Sequence, residues 1–145
     1  MITIYTDGGC HGNPGPGAWA FIMLENGQEY SRSGAEENTT NNRMELAAVI
    51  EALTEQIKRY PDEKKAALYT DSQYVKKGIN EWIINWKKNG WRTAARKPVK
   101  NKDLWTVLDS INNSLDITWK WVEGHAGHKY NELCDALVQK TIKNS

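Results

Sequence analysis

Apolar and polar residues alternate from Met1 to Thr6, with Ile2 and Ile4 set against Thr3 and Tyr5, and predict a half-buried strand. Gly8, Gly9, Gly12, Asn13, Pro14, Gly15, Pro16 and Gly17 then predict a tight turn-rich loop. Ala18 to Leu24 is a continuous apolar run and reads as a second, more buried strand. Asn26-Gly27 carries a hairpin signal, so Glu29 to Gly34 follows as a third, more polar strand. The period changes after Asn41: Leu46, Val49, Ile50, Leu53 and Ile57 form one stripe of a helix that runs to Arg59, with Pro61 just beyond its end. Ala66 to Thr70 is the fourth predicted strand. Ser72 to Asn89 is helical in two pieces broken near Gly78, and Lys102 to Asn112 is helical again. Asp116 to Val122 is the fifth strand, and His128 to Lys143 the last helix. Three hairpin-linked strands followed by two strand–helix units predict an α/β fold. Its five-stranded mixed sheet has three antiparallel strands, then two parallel ones, with helices on both faces.

The 145 residues suit a single domain, 1–145, around one core. The longest apolar run falls far short of the roughly 20 residues that cross a bilayer, so no membrane partner is expected. The N-terminus opens directly on a strand and meets Asp7 early, which is not a signal-peptide pattern. Cys10 and Cys134 have no short-spaced partner and make neither a zinc motif nor a disulfide framework. A cytoplasmic, reduced chain is the simplest reading, and whether the two thiols meet is left to the fold.

Candidate chemistry begins with a repeated word. Tyr5-Thr6-Asp7 and Tyr69-Thr70-Asp71 each close a β-prone run on a carboxylate. If the strands are parallel neighbours, about 4.8 Å apart, both carboxylates leave one edge of the sheet. That spacing suits a pair of divalent cations, which lie roughly 3.5–4 Å apart in phosphoryl-transfer sites. Each acid also has a plain local role. Asp7 suits a turn, Asp71 suits a helix cap, and Glu45 suits a capping box with Asn42. Asp135 suits a solvated face of the last helix. Yet Glu45 and Asp135 both flank apolar stripes, where a side chain can lean over the sheet edge. Four hard oxygen ligands suit Mg²⁺, with Mn²⁺ as a substitute. In Gly124-His125-Ala126-Gly127-His128, the glycine-flanked His125 is the candidate for proton transfer, and His128 reads as a helix start.

A net charge of +1 excludes little, but its distribution is uneven. Between Glu81 and Asp103 there is no acid, while Lys87, Lys88, Arg92, Arg96, Lys97, Lys100 and Lys102 fall there with Trp82, Trp86 and Trp91 interleaved. A solvated basic face over core tryptophans is the plain reading. A nucleic-acid platform, with cations on phosphates and aromatics on sugars or bases, is the specific one.

Taken in order, Tyr-Thr-Asp-Gly-Gly-Cys, Gly-Asn-Pro-Gly-Pro-Gly, Thr-Thr-Asn-Asn-Arg-Met-Glu-Leu, Thr-Asp-Ser-Gln-Tyr-Val, Trp-Lys-Lys-Asn-Gly-Trp, Gly-His-Ala-Gly-His and Asn-Glu-Leu-Cys-Asp resemble the bacterial ribonuclease HI family, the type 1 ribonucleases H, from Ile2 to about Lys140. The resemblance implies a ribonuclease H-like fold and endonucleolytic hydrolysis of the RNA strand of RNA–DNA hybrids by two Mg²⁺ ions bound with the substrate, leaving 5′-phosphate and 3′-hydroxyl ends. It implies metal ligation by Asp7, Glu45, Asp71 and Asp135, and a catalytic histidine at His125. It makes residues 82–102 a basic protrusion that holds the DNA strand. Cys10, Asn13, Asn41, Asn42 and Gln73 would line the RNA groove, and Thr40 and Asn101 would grip a DNA phosphate. Gly9 stands where serine is common, and the chain stops about ten residues past Asp135. No separate hybrid-binding domain precedes Met1, so binding by a monomer would rest on the protrusion. The alternative is a catalytically silent hybrid-binding module.

Overall fold

The computed structural model describes residues 1–123 and 128–145. The strands are β1 (Ile2–Cys10), β2 (Gly15–Glu25), β3 (Gln28–Thr39), β4 (Lys65–Thr70) and β5 (Asp116–Trp121), in the spatial order β3-β2-β1-β4-β5. β1, β2 and β3 are antiparallel, and β4 joins β1, and β5 joins β4, in parallel. The expected mixed sheet is therefore present. The helices are α1 (Asn41–Arg59), α2 (Gln73–Lys77), α3 (Ile83–Lys88), α4 (Lys102–Asn113) and α5 (Lys129–Lys143), with a π-helical turn, Gly78–Trp82, between α2 and α3. No helix among the described residues is long and apolar enough to cross a membrane.

α1 and α4 cover one face and α5 the other. Ile2, Ile4, Phe21, Leu46, Val49, Leu53, Leu68, Trp105 and Leu108 build the core on the α1 side. Ala18, Ala20, Ile22, Cys134, Val138 and Ile142 build the smaller one beneath α5. Cys10 and Cys134 are both free thiols.

Four local expectations are corrected. The glycine stretch is mostly strand: Gly8 and Gly9 pair with Trp19 and Ala18, so β1 runs to Cys10 and only His11–Pro14 turns. β3 likewise runs past Gly34 to Thr39, because β2 offers partners along that whole length. The buried face of α1 is rotated from the predicted stripe, with Ile57 exposed and Glu55 and Gln56 buried. Burial of Glu55 is tolerated because Arg32 and Arg59 both reach it, at 3.3 and 3.1 Å. Near Gly78 the helix passes into the π-helical turn without breaking, and a packing contact calls for glycine there. A Cβ there would collide with the Trp105 indole, so only glycine lets Trp105 lie against this backbone.

Candidate active site

β1 and β4 stay in parallel register as far as Tyr5 and Tyr69. Asp7 and Asp71 lie two residues beyond that pair, at the same edge, as the repeated word predicts. Asp7 is nevertheless inside β1, paired with Ala20 and only 6% exposed, so its turn role is excluded. Asp71 does not cap the next helix. Ser72 does, accepting from the Val75 N–H at 3.1 Å. Glu45 is not in a capping box with Asn42 either. The cap of α1 is Thr40, whose hydroxyl accepts from the Arg43 N–H at 3.2 Å.

Released from capping, Glu45 leans over β1. The step that brings it there is Gly8. A Cβ on Gly8 would run into the Met44 backbone and lie 2.6 Å from the Glu45 nitrogen, so strand and helix touch backbone to backbone. Asp7, Glu45 and Asp71 consequently offer one oxygen each within 4.8 Å of one another. Asp135 comes in from α5 on the other face and shares a hydrogen bond with Asp7.

So many carboxylates resist ionising together. Burial, then Asp71 and Asp135, push the Asp7 carboxyl up to about 8, against a favourable bond from the Gly8 N–H. Burial, then Asp7 and Asp71, raise Glu45 well above the usual carboxylate range. Its Oε1 is fully buried with no partner. An orphaned buried oxygen among crowded acids is what a divalent cation satisfies, and oxygen-only donors fit Mg²⁺ or Mn²⁺.

Beside this cluster the β1–β2 turn is tied to α1. The Cys10 N–H donates to Asn41 Oδ1 at 2.8 Å, and the Asn41 N–H donates to Asn13 Oδ1 at 3.0 Å. The Cys10 thiol also reaches Asn13 Oδ1 at 3.5 Å. Backbone donors fix both amide oxygens, so each side chain presents its NH₂ group outward. Asn13, Thr40, Asn41, Asn42, Lys100 and Asn101 line one cleft of about 300 Å³. Gln73 is exposed at the start of α2, two residues past Asp71.

Residues 82–102 pack onto the α1-side core through Ile83, Trp86, Trp91 and Val99, and their outer side is the expected basic lobe. All seven of its cations are exposed. Lys87 is held by Asp109 at 3.2 Å. Trp82, Trp86 and Trp91 are half-buried and packed in series, at 5.7 and 6.4 Å, and Trp86 meets Trp105 at 5.5 Å. They support the lobe as much as they face outward. Arg92 and Pro98 pair across its loop, and Arg92 and Arg96 border a hollow of about 250 Å³.

The sequence pattern of the RNase H family matches residues 1–143. The chain belongs to the ribonuclease H family. Ribonuclease H of Pseudomonas entomophila (strain L48) is 55% identical over 141 residues, covering 97% of this chain and 93% of that protein. The crystal structure of LC9-RNase H1, a type 1 RNase H with the type 2 active-site motif, superposes with a TM-score of 0.85 at 30% identity, over 99% of this chain and 72% of that one. LC11-RNase H1, solved in complex with an RNA/DNA hybrid, superposes with a TM-score of 0.72 over 99% of this chain and 98% of that one. At 23% identity this likeness concerns the fold.

His125, the expected proton-transfer residue of this ribonuclease H family chain, lies outside the described residues. Three residues not singled out from the sequence support the site. Gly8 permits the contact of β1 with α1. Arg43 donates to Asn101 at 3.2 Å and bidentately to Asp103 at 3.0 and 2.8 Å. Tyr74 accepts at its hydroxyl from Asn101 at 3.0 Å and Trp105 at 2.9 Å. Arg43 sits inside the Thr-Thr-Asn-Asn-Arg-Met-Glu-Leu run, two residues before Glu45. Its cationic head at the border of a helix stripe was the available signal.

Proposed function

We propose that this chain hydrolyses the RNA strand of an RNA–DNA hybrid as an endonuclease, leaving 5′-phosphate and 3′-hydroxyl ends. The observation that carries this reading is the meeting of four carboxylates from β1, α1, the end of β4 and α5, with a buried Glu45 oxygen left without a partner. Asp7, Glu45, Asp71 and Asp135 would hold two Mg²⁺ ions, or Mn²⁺ in their place, when substrate is bound. Bound cations supply an activated water and neutralise charge on the leaving 3′-oxygen.

The chain's own residues do the rest. Asp7, bordered by the three other acids, would be the central ligand of the ions. Its carboxyl must give up its proton first, so loading releases protons. Asn13 and Asn41, each with its oxygen engaged by a backbone N–H, would offer their NH₂ groups as donors, which suits the oxygen of a 2′-hydroxyl or a phosphate. Asn42, Gln73 and Cys10 would border the RNA side of the same substrate. Thr40 and Asn101 share the cleft with Lys100, a cation for a DNA phosphate. Trp82, Trp86, Trp91, Lys87, Lys88, Arg92, Arg96 and Lys97 would test the shape of the DNA strand. His125 would move the proton that frees product. We assign the work to a cytoplasmic monomer.

A cleavage gel tests this reading. The hybrid's RNA should be cut with Mg²⁺ and spared with EDTA, and single-stranded RNA and duplex DNA should be spared throughout. Tight hybrid binding without any cleavage would establish the silent binding module instead. A hybrid with four ribonucleotides should be cut well and one with a single ribonucleotide poorly, because amide donors from Asn13 to Gln73 spread over several sugars.

A further inference from the structure

The two faces of the sheet are unequally covered. α5 packs on β1, β2 and β3, and among the described residues no helix packs over β4 and β5 on that side. Tyr69 stands in this open half and Tyr5 at its border, beside α5. They are register partners on β1 and β4, and their rings stack at 4.8 Å and 15°. Tyr130, from the first turn of α5, lies on the other side of Tyr5 at 5.2 Å. Tyr5 is thus sandwiched, and Tyr69 keeps one ring face toward β5. The register partner of Tyr69 there is Lys120, exposed and alternating with the core-facing Trp119. The Lys129 ammonium lies 5.2 Å over the Tyr130 ring.

The position of these rings matters. Each of the first two lies two residues before a carboxylate of the cluster, Asp7 or Asp71. The basic lobe packs through Trp86 and Trp91 onto the opposite, α1-side core. The carboxylate edge therefore runs between the lobe and the tyrosines, and a strand crossing it away from the lobe arrives at Tyr69. Half-exposed rings flanked by ammonium groups match base faces and phosphates. Asp116, on the same face, is four residues away along β5, roughly 13 Å at strand rise, and does not offset Lys120 locally.

We infer that Tyr5, Tyr69 and Tyr130, with Lys120 and Lys129, form a stacking platform for unpaired single-stranded RNA continuing from the hybrid across the carboxylate edge. This rests on the proposed hydrolysis of hybrid RNA.

The test compares one hybrid in three forms: blunt, with a 5′ RNA extension, and with a 3′ RNA extension. Steady-state KM and kcat are measured for each. One extension should lower KM by roughly five- to ten-fold, the scale of one stacked base at the low end of its range, with kcat unchanged. Tyr69→Leu should abolish that gain while leaving blunt-substrate KM and kcat intact, and Tyr69→Phe should retain it. Lys120→Ala should flatten the salt dependence of the gain. Equal KM for all three forms in the unaltered protein overturns the platform, as does a gain that survives Tyr69→Leu. A control hybrid extended on the DNA strand should show no gain, and a gain confined to that control overturns the platform as well. Failure to cut any form would instead overturn the hydrolytic reading itself.

Discussion

The carboxylate edge and the basic lobe are both charged, yet they are held by opposite means. The edge places Asp7, Glu45, Asp71 and Asp135 on four elements around a backbone contact at Gly8, where burial and neighbouring carboxylates raise the Asp7 and Glu45 carboxyls. The lobe keeps every cation in water and buries Ile83 and Val99, with its tryptophans half-buried around them. Charge is concentrated in one place at a cost in stability, and spread in the other at almost none. Holding divalent ions and holding many phosphates, the roles proposed for the two regions, would place these opposite demands on a fold.

Asp7→Asn should separate the two most sharply. Turnover should fall by about a thousand-fold or more, since the proposed metal ligand at the centre of the cluster is lost. Hybrid binding without metal should persist through the lobe. Stability should move the other way. Folding raises the Asp7 carboxyl from 3.8 to about 8, so the folded chain binds this proton more tightly than the unfolded one. The favourable contribution is present below the unfolded value and is lost as pH rises to about 8. The metal-free variant should therefore be more stable than the parent at pH 8, by roughly 1 to 3 kcal/mol, and show no such gain at pH 4. Calorimetry at the two pH values, beside a turnover assay, checks both halves. An unaltered melting temperature at pH 8 would mean that the acids do not repel.

Gly8→Ala attacks the same edge through packing. The added methyl meets the Met44–Glu45 backbone, and moving α1 away separates Glu45 from Asp7. Overpacking of this kind costs roughly 1 to 3 kcal/mol. Urea melts should show that loss, and titration with Mg²⁺ should show weaker binding. The lobe should be indifferent, with hybrid affinity at low salt little changed.

How far each region was legible follows from the same contrast. Strand alternation and the twin Tyr-Thr-Asp words gave away the parallel pair and two of the carboxylates, because a period of two and a shared register are local signals. Glu45 was harder. Its local grammar spelled a capping box, and only the long-range touch of Gly8 on α1 shows why the cap falls at Thr40 instead. The glycines of β1 and β2 read as a turn, because close helix approach and conformational freedom call for the same residue. The Ile57 stripe failed where Arg32 and Arg59 made burial of Glu55 tolerable, a pairing that spans β3 and α1. The lobe was visible as missing acids. Its tryptophans were legible as aromatics but not as a packed series, since their partner Trp105 lies beyond it in sequence.

Removing cations from the lobe should have a smaller effect, seen in binding alone. Lys87, Lys88, Arg96 and Lys97 changed together to Ala should lower the slope of log K against log salt by roughly 3, at about 0.9 for each phosphate no longer neutralised. The fourth contribution is reduced because Lys87 is already engaged by Asp109. Turnover at saturation should be unaltered. An unchanged slope would make the lobe a merely solvated face, and a large fall in saturated turnover would put these cations at the chemistry.

The smallest effect should come from Arg43, which joins the two regions. It stands two residues before Glu45 on α1, and its guanidinium forks onto Asp103 and reaches Asn101 at the root of the lobe. The same interaction holds the Asp103 carboxyl below its ordinary range. Asp103 is 64% exposed, so water screens the pair and its direct worth is under about 1 kcal/mol. What Arg43→Gln should lose is register, since Asn101 would no longer be fixed opposite Thr40 across the cleft. KM for the hybrid should rise about two- to five-fold with kcat preserved, the scale of one such interaction. Asp103→Asn should raise it less, because Arg43 keeps Asn101. The double variant should match Arg43→Gln alone, as expected when two residues act through one interaction. Additive effects would mean that the edge and the lobe bind substrate without this strut.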